Sequence, residues 1–131
     1  MRGPRRWRIA AMAWTAIVVA FGVLPTQGTI HAVAGGHDAL LTSAGHFVEY
    51  AVLAFVLAAA LDGWRVGYRA LIAAGLAAAL GALIELVQVV LPYRDCQLSD
   101  ALVNIAGACA GLAVFSLAAS SRARRRRAHR G

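Results

Sequence analysis

Apolar residues fill four blocks of this chain, separated by short polar or proline-bearing stretches. The first block, 9–24, is interrupted only mildly, by Trp14 and Thr15, and ends at Pro25. Proline lacks the N–H that would continue the helix ladder, so it marks a helix end. The second block runs over 44–61 and is rich in Ala, Val and Leu; the third covers 70–91 and is closed by Pro92; the fourth covers 100–119. Each approaches the ~20 residues that a helix needs to cross a ~30 Å hydrocarbon layer, the first two being slightly short. The pattern predicts an all-α fold, a four-helix transmembrane bundle over 9–119, with a basic segment 1–8 before it and an Arg-rich tail 120–131 after it.

Composition agrees. Sixty per cent of the 131 residues are apolar, where a soluble domain holds nearer half. The chain carries 13 basic residues, all of them Arg, and a formal net charge of +7. Such a balance raises nucleic acid as a partner. The arginines, however, sit between apolar blocks and at the two ends rather than over one face, so nucleic acid is not expected. Four spans place the N-terminus, the connection 62–69 and the tail on one side of the membrane. That side holds twelve arginines, from Arg2 to Arg8, Arg65, Arg69 and Arg122 to Arg130, while the other holds Arg94 alone. The positive-inside rule then puts both termini in the cytoplasm. The tail is expected to be disordered and to lie on the anionic lipid surface. Arg5-Arg6 and Ala32-Val33-Ala34 resemble parts of a cleaved signal, but the apolar stretch is long for one, and the first span is expected to be retained. Cys96 and Cys109 are thirteen positions apart, roughly 20 Å along a helix, and no disulfide between them is expected.

Polar residues inside spans cost roughly 3 kcal/mol or more when charged, and so draw functional hypotheses. His46, Glu49 and Tyr50 fall in the second span, Glu85 and Gln88 in the third, Asp100 and Asn104 in the fourth. With alternating spans, all of them lie in the outer leaflet at similar depth. The spacing of His46, Glu49 and Tyr50 puts them on one helix face, as does that of Gly81, Glu85 and Gln88. Asp100, Asn104, Gly107 and Gly111 form a stripe whose GxxxG admits a closely packed helix. These residues predict a polar pocket opening outward, with Arg94 on the loop above it. Glu85, His46 and Asp100 are the candidate catalytic residues; Arg94, Gln88, Asn104, Tyr50 and Glu49 are candidates for substrate binding; Gly81, Gly107 and Gly111 serve helix packing. Plainer readings stand beside these: Asp100 as an N-cap, His46 or Tyr50 as an interfacial residue with a satisfied hydrogen bond, Glu85 and Arg94 as a structural ion pair.

Carboxylates beside an imidazole and a guanidinium suit acid–base work on a phosphate- or carboxylate-bearing lipid headgroup. No tight metal-ligand spacing, glycine-rich phosphate loop, serine elbow or paired-cysteine motif occurs, so neither metal nor cofactor is expected. Membrane lipids are the expected partners; the oligomeric state is left open.

The run from His46 to Leu53, then Glu85-x-x-Gln88-x-x-x-Pro92-x-Arg94, then Asp100-x-x-x-Asn104-x-x-Gly107, resembles the VanZ-like family over about 42–111. That family consists of small bacterial membrane proteins, and its namesake is linked to low-level resistance to teicoplanin. The resemblance implies residence in the bacterial cytoplasmic membrane and a site at His46, Glu85, Gln88, Arg94 and Asp100. Many relatives carry Asp-Lys where this chain has Thr42-Ser43, and His where it has Val87; chemistry that needs those groups would be missing here. The resemblance implies a partner among cell-envelope lipids, such as the peptidoglycan-precursor lipid, or a glycopeptide antibiotic, teicoplanin itself bearing an acyl chain. It does not choose between binding and turnover. An intramembrane enzyme on lipid headgroups and a structural subunit of a membrane complex remain the alternatives.

Overall fold

The structure, a computed structural model, describes residues 3–25, 38–61, 65–92 and 98–128. They form helices α1 (Gly3–Val23), α2 (Asp38–Ala60), α3 (Val66–Gln88) and α4 (Leu98–Ala128), with no strand among the described residues. All four are long and apolar enough to cross a membrane. The reason is the medium: without water, each backbone N–H and C=O must be satisfied inside its own segment, which a continuous helix does. The same requirement carries helix past the apolar blocks. Helix α2 begins at Asp38 rather than at 44 and so includes Thr42 and Ser43. Helix α3 begins after Arg65, whose backbone is extended, and ends in a tight turn in which the Val90 and Leu91 amides donate to the carbonyls of Val87 and Gln88. Residues 89–91 are thus a turn rather than helix, because Pro92 disfavours helical backbone just before it.

The expected disorder of the tail is corrected over 122–128, while 129–131 lie outside the described residues. Helix α4 runs on through Arg122 to Ala128. Alanine and arginine are among the best helix formers, and Arg125, Arg126 and Arg127 in the last turn complement the negative end of the helix dipole. Ser120 and Ser121 donate their hydroxyls to the carbonyls of Ser116 and Leu117, at 2.9 Å each. At 31 residues, α4 is about 46 Å long, so its arginine-bearing end stands clear of a ~30 Å hydrocarbon layer.

Helix α2 is the hub. It packs against each of the other three, most extensively against α4, and its Leu53, Ala54 and Ala58 are fully buried. One core cluster joins Val18, Tyr50, Leu53, Ala77, Ile84 and Ala108; a second, toward the other end, joins Ala58, Ala73 and Phe115. Outside, large apolar side chains point away from the bundle: Leu40, Leu71, Val90 and Leu117 are 72%, 70%, 76% and 69% exposed. Lipid is as apolar as these side chains, so burial drives little association there, and close backbone approach takes over. Gly107 and Gly111 supply it. A Cβ on either would strike the α2 backbone, at the carbonyls of Phe47 and Ala51 respectively.

Two ends result. Trp7, Phe55, Arg69, Phe115 and Arg122 gather at one; Gly22, His46, Glu85, Gln88 and Asn104 gather at the other. The start of α1 and the end of α4 therefore share the arginine-rich end.

Candidate functional site

At the opposite end, three helices deliver the polar residues of the spans and α1 closes the fourth side. From α2 come His46, Glu49 and Tyr50, on one face by their spacing; from α3, Glu85 and Gln88; from the first turns of α4, Asp100 and Asn104. The His46 imidazole lies between two carboxylates. Its Nδ1 is 3.9 Å from Oε2 of Glu49 and its Nε2 is 3.9 Å from Oδ2 of Asp100, with each of these side chains only about a fifth exposed. Those separations exceed direct hydrogen-bond length yet are short for charge interaction in a medium of low polarity. Glu85 and Tyr50 join His46, Glu49, Gln88 and Asn104 around one small cavity.

The structure brings most of the sequence candidates together, around a polar cavity that is small. The polar cavity measures about 10 Å³, the threshold volume for a single water. The roomy cavity lies beside it, about 310 Å³, and is almost entirely apolar: Ala74, Ala77, Ala78 and Gly81 of α3 face Ala101, Ile105 and Ala108 of α4. Tyr50 and Asn104 line both cavities. The reason for this division is side-chain size. Alanine and glycine on α3 and α4 leave a slot, whereas the longer Glu, Gln and His side chains fill the space between the helix ends.

Individual roles also sharpen. Gln88 is 5% exposed, and its Nε2 donates to the Gly22 carbonyl at 2.8 Å, so it ties α3 to α1. Tyr50 is buried, and its ring packs on Gly81, where a Cβ would stand 3.2 Å from the phenol oxygen. Asn104 is buried, and its Oδ1 has no hydrogen-bond partner among the described residues. A buried acceptor without a partner costs on the order of 1–3 kcal/mol, which marks it as a point where a donor is wanted. Arg94 and Cys96 lie outside the described residues, and Cys109 is a free, exposed thiol. Among the described residues, no three His, Cys, Asp or Glu side chains are grouped to hold a metal ion.

Helix α1 was not expected to take part. Trp14 donates its indole N–H to the Glu49 carbonyl at 2.9 Å, and Val18 and Gly22 wall the polar cavity. Trp14 reads in sequence as a mild interruption of an apolar block, and Gly22 as one small residue among many. The available signal was a lone glycine in the last turn of the helix, a place where another helix can come close; Ile84 comes that close here.

Chemically, an imidazole flanked by carboxylates can hold or pass a proton, and Asn104 can accept a hydrogen bond from a ligand. No curated protein and no solved structure matches the chain. The family model described as VanZ/LLP1 matches residues 6–119, which covers all of the helical bundle except the ends of α1 and α4. By that match, and with four membrane-spanning helices, this chain is a multi-pass membrane protein that belongs to the VanZ/LLP1 family.

Proposed function

We propose that the polar cluster and the alanine-lined cavity together receive a lipid, or a lipidated glycopeptide such as teicoplanin, at the outer face of the bacterial cytoplasmic membrane. The observation that carries this reading is their adjacency: Tyr50 and Asn104 border both spaces. A polar headgroup at His46, Glu85 and Asp100 would then continue directly into an apolar chain between α3 and α4. At about 310 Å³, the apolar cavity is at the small end for ligand sites, suited to one chain. Asn104 Oδ1 would accept from a ligand hydroxyl or amide at the junction. In this reading His46 is the proton-handling group, Glu49 and Asp100 orient it, and Arg94, by its sequence position, meets a negative headgroup.

The small volume of the polar cavity favours a second reading, in which the cluster only locks the helix ends. Glu85→Gln separates the two. On the lipid reading, expression of the unmodified chain lowers teicoplanin susceptibility, and the variant reaches the membrane at normal abundance without doing so. Adding Arg94→Leu leaves it inactive. On the locking reading, Glu85 serves a structural pair with Arg94, so Glu85→Gln lowers folded yield by stranding the other charge, and Arg94→Leu restores much of it. A normal phenotype at normal abundance would remove Glu85 from the site.

A further inference from the structure

The apolar cavity between α3 and α4 is a groove with exposed lips and a buried floor. Its lips are Ala74, Ala78 and Ala82 on α3 and Ala101, Ile105 and Cys109 on α4, each row at one-turn spacing. Ala78, Ala82, Ile105 and Cys109 are exposed, whereas Gly81, Asn104 and Tyr50 on the floor are buried. Each row spans just over two turns, so the groove runs along about 12 Å of helix. Both helices are long and apolar enough to cross the membrane, and the open side of the groove therefore faces lipid chains. A ligand reaches it sideways, from within the bilayer. The polar cavity, at about 10 Å³, is too small to admit one from the water side.

An apolar groove alone would take any alkyl chain. Asn104 makes this one selective. Its side chain is 6% exposed, it lines the groove, and its Oδ1 has no hydrogen-bond partner. An amide oxygen accepts and cannot donate, so a bare alkyl chain leaves it unsatisfied. The ester linkage of an ordinary phospholipid does the same, because an ester carries only acceptors. A donor at the start of the chain satisfies it, and the position fits: Asn104 also borders the polar cavity, so it stands toward the end of the groove where a headgroup would lie. In hydrocarbon no water competes for that acceptor. A site built around one buried polar atom rejects an analogue that cannot pair with it.

We infer that the groove selects amphiphiles that carry an N–H or O–H donor where an alkyl chain begins, as a secondary amide or a hydroxyl does. The donor pairs with Oδ1 of Asn104, and the chain enters sideways between α3 and α4. The inference rests on the proposed reading that this space takes an alkyl chain, and adds the chemistry that stands at the head of that chain.

The test uses the full-length protein in phosphatidylcholine vesicles, whose lipid has no N–H or O–H donor. Three photoprobes carry the same terminal diazirine: dodecanoic N-methylamide, dodecanol and methyl dodecanoate. Each is added separately at equal mole fraction below saturation, and labelled residues are located by mass spectrometry after irradiation. The amide, the alcohol or both should label the groove around Ala78 and Cys109 at least about 5-fold more than the ester, the low end of what an unmade buried hydrogen bond costs. The stronger of the two identifies the donor. Asn104→Leu keeps the shape and removes the orphan acceptor, so it should fold as well and bring amide and alcohol down to the level of the ester. Ala78→Phe fills the groove and leaves Asn104, and should remove groove labelling by all three. The amide–ester comparison in the unmodified chain decides the matter even where Asn104→Leu accumulates poorly. Equal groove labelling by all three probes would leave the chain site standing and overturn the donor assignment. A preference that survives Asn104→Leu, or labelling that survives Ala78→Phe, would overturn it as well. No groove labelling by any probe would overturn both this inference and the reading on which it rests.

Discussion

His46 on α2 holds its Nε2 3.9 Å from Oδ2 of Asp100 in the first turn of α4, so one polar contact fixes how the ends of the two most extensively packed helices meet. Both side chains are 18% exposed. The contact lies just beyond the glycine stripe of α4, and the two features set the same helix register.

The first prediction concerns that contact. His46→Gln and Asp100→Asn should each lower stability by about 1–2 kcal/mol, less than the 3–5 of a fully buried, well-formed pair, because both groups keep some exposure. The double variant should cost clearly less than the sum of the two, as contacting residues do in a double-mutant cycle. Unfolding of the four proteins in the same detergent measures this. Simple additivity would show that the two groups do not interact.

Glycine supplies the second. Gly107→Ala and Gly111→Ala each put a Cβ into main-chain atoms of α2, at Phe47 and Ala51, which cannot swing aside as a side chain can. We expect either variant to cost about 3 kcal/mol or more, in the upper range of single substitutions, seen as a lowered midpoint or poor accumulation in the membrane. Gly75→Ala is the control. Its Cβ meets nothing within 4 Å, and alanine is the better helix former by about 1 kcal/mol, so that variant should be as stable or more so. Equal effects at all three positions would sink the close-approach account.

Orientation is the third. The arginine-rich end should face the cytoplasm and the polar cluster the outside. In a background with Cys96→Ser and Cys109→Ser, Pro92→Cys should react with a membrane-impermeant maleimide on intact spheroplasts. Ser121→Cys should react only after lysis. The opposite pattern would invert the assignment and put the His46 cluster on the inner face.

Much of this protein is written in residue order alone. Four apolar blocks of near-membrane length, two of them ended by proline, dictate four helices, because an unbroken helix is the cheapest way to satisfy backbone polar groups in lipid. The spacing of His46, Glu49 and Tyr50, and of Asp100, Asn104, Gly107 and Gly111, decides which residues share a face, since 3.6 residues per turn is fixed by the backbone. What sequence could not supply is which faces meet and how closely. That depends on side-chain volumes from several helices at once. Only packing shows that Gly107 and Gly111 let α4 touch the α2 main chain, that Gln88 spends its amide on Gly22 of α1, and that the polar groups close to about 10 Å³ beside an apolar slot of about 310 Å³. The helical tail belongs to the same class. Its arginines signal charge to a sequence reading, but helix α4 was already nucleated upstream, and extending it costs far less than starting one.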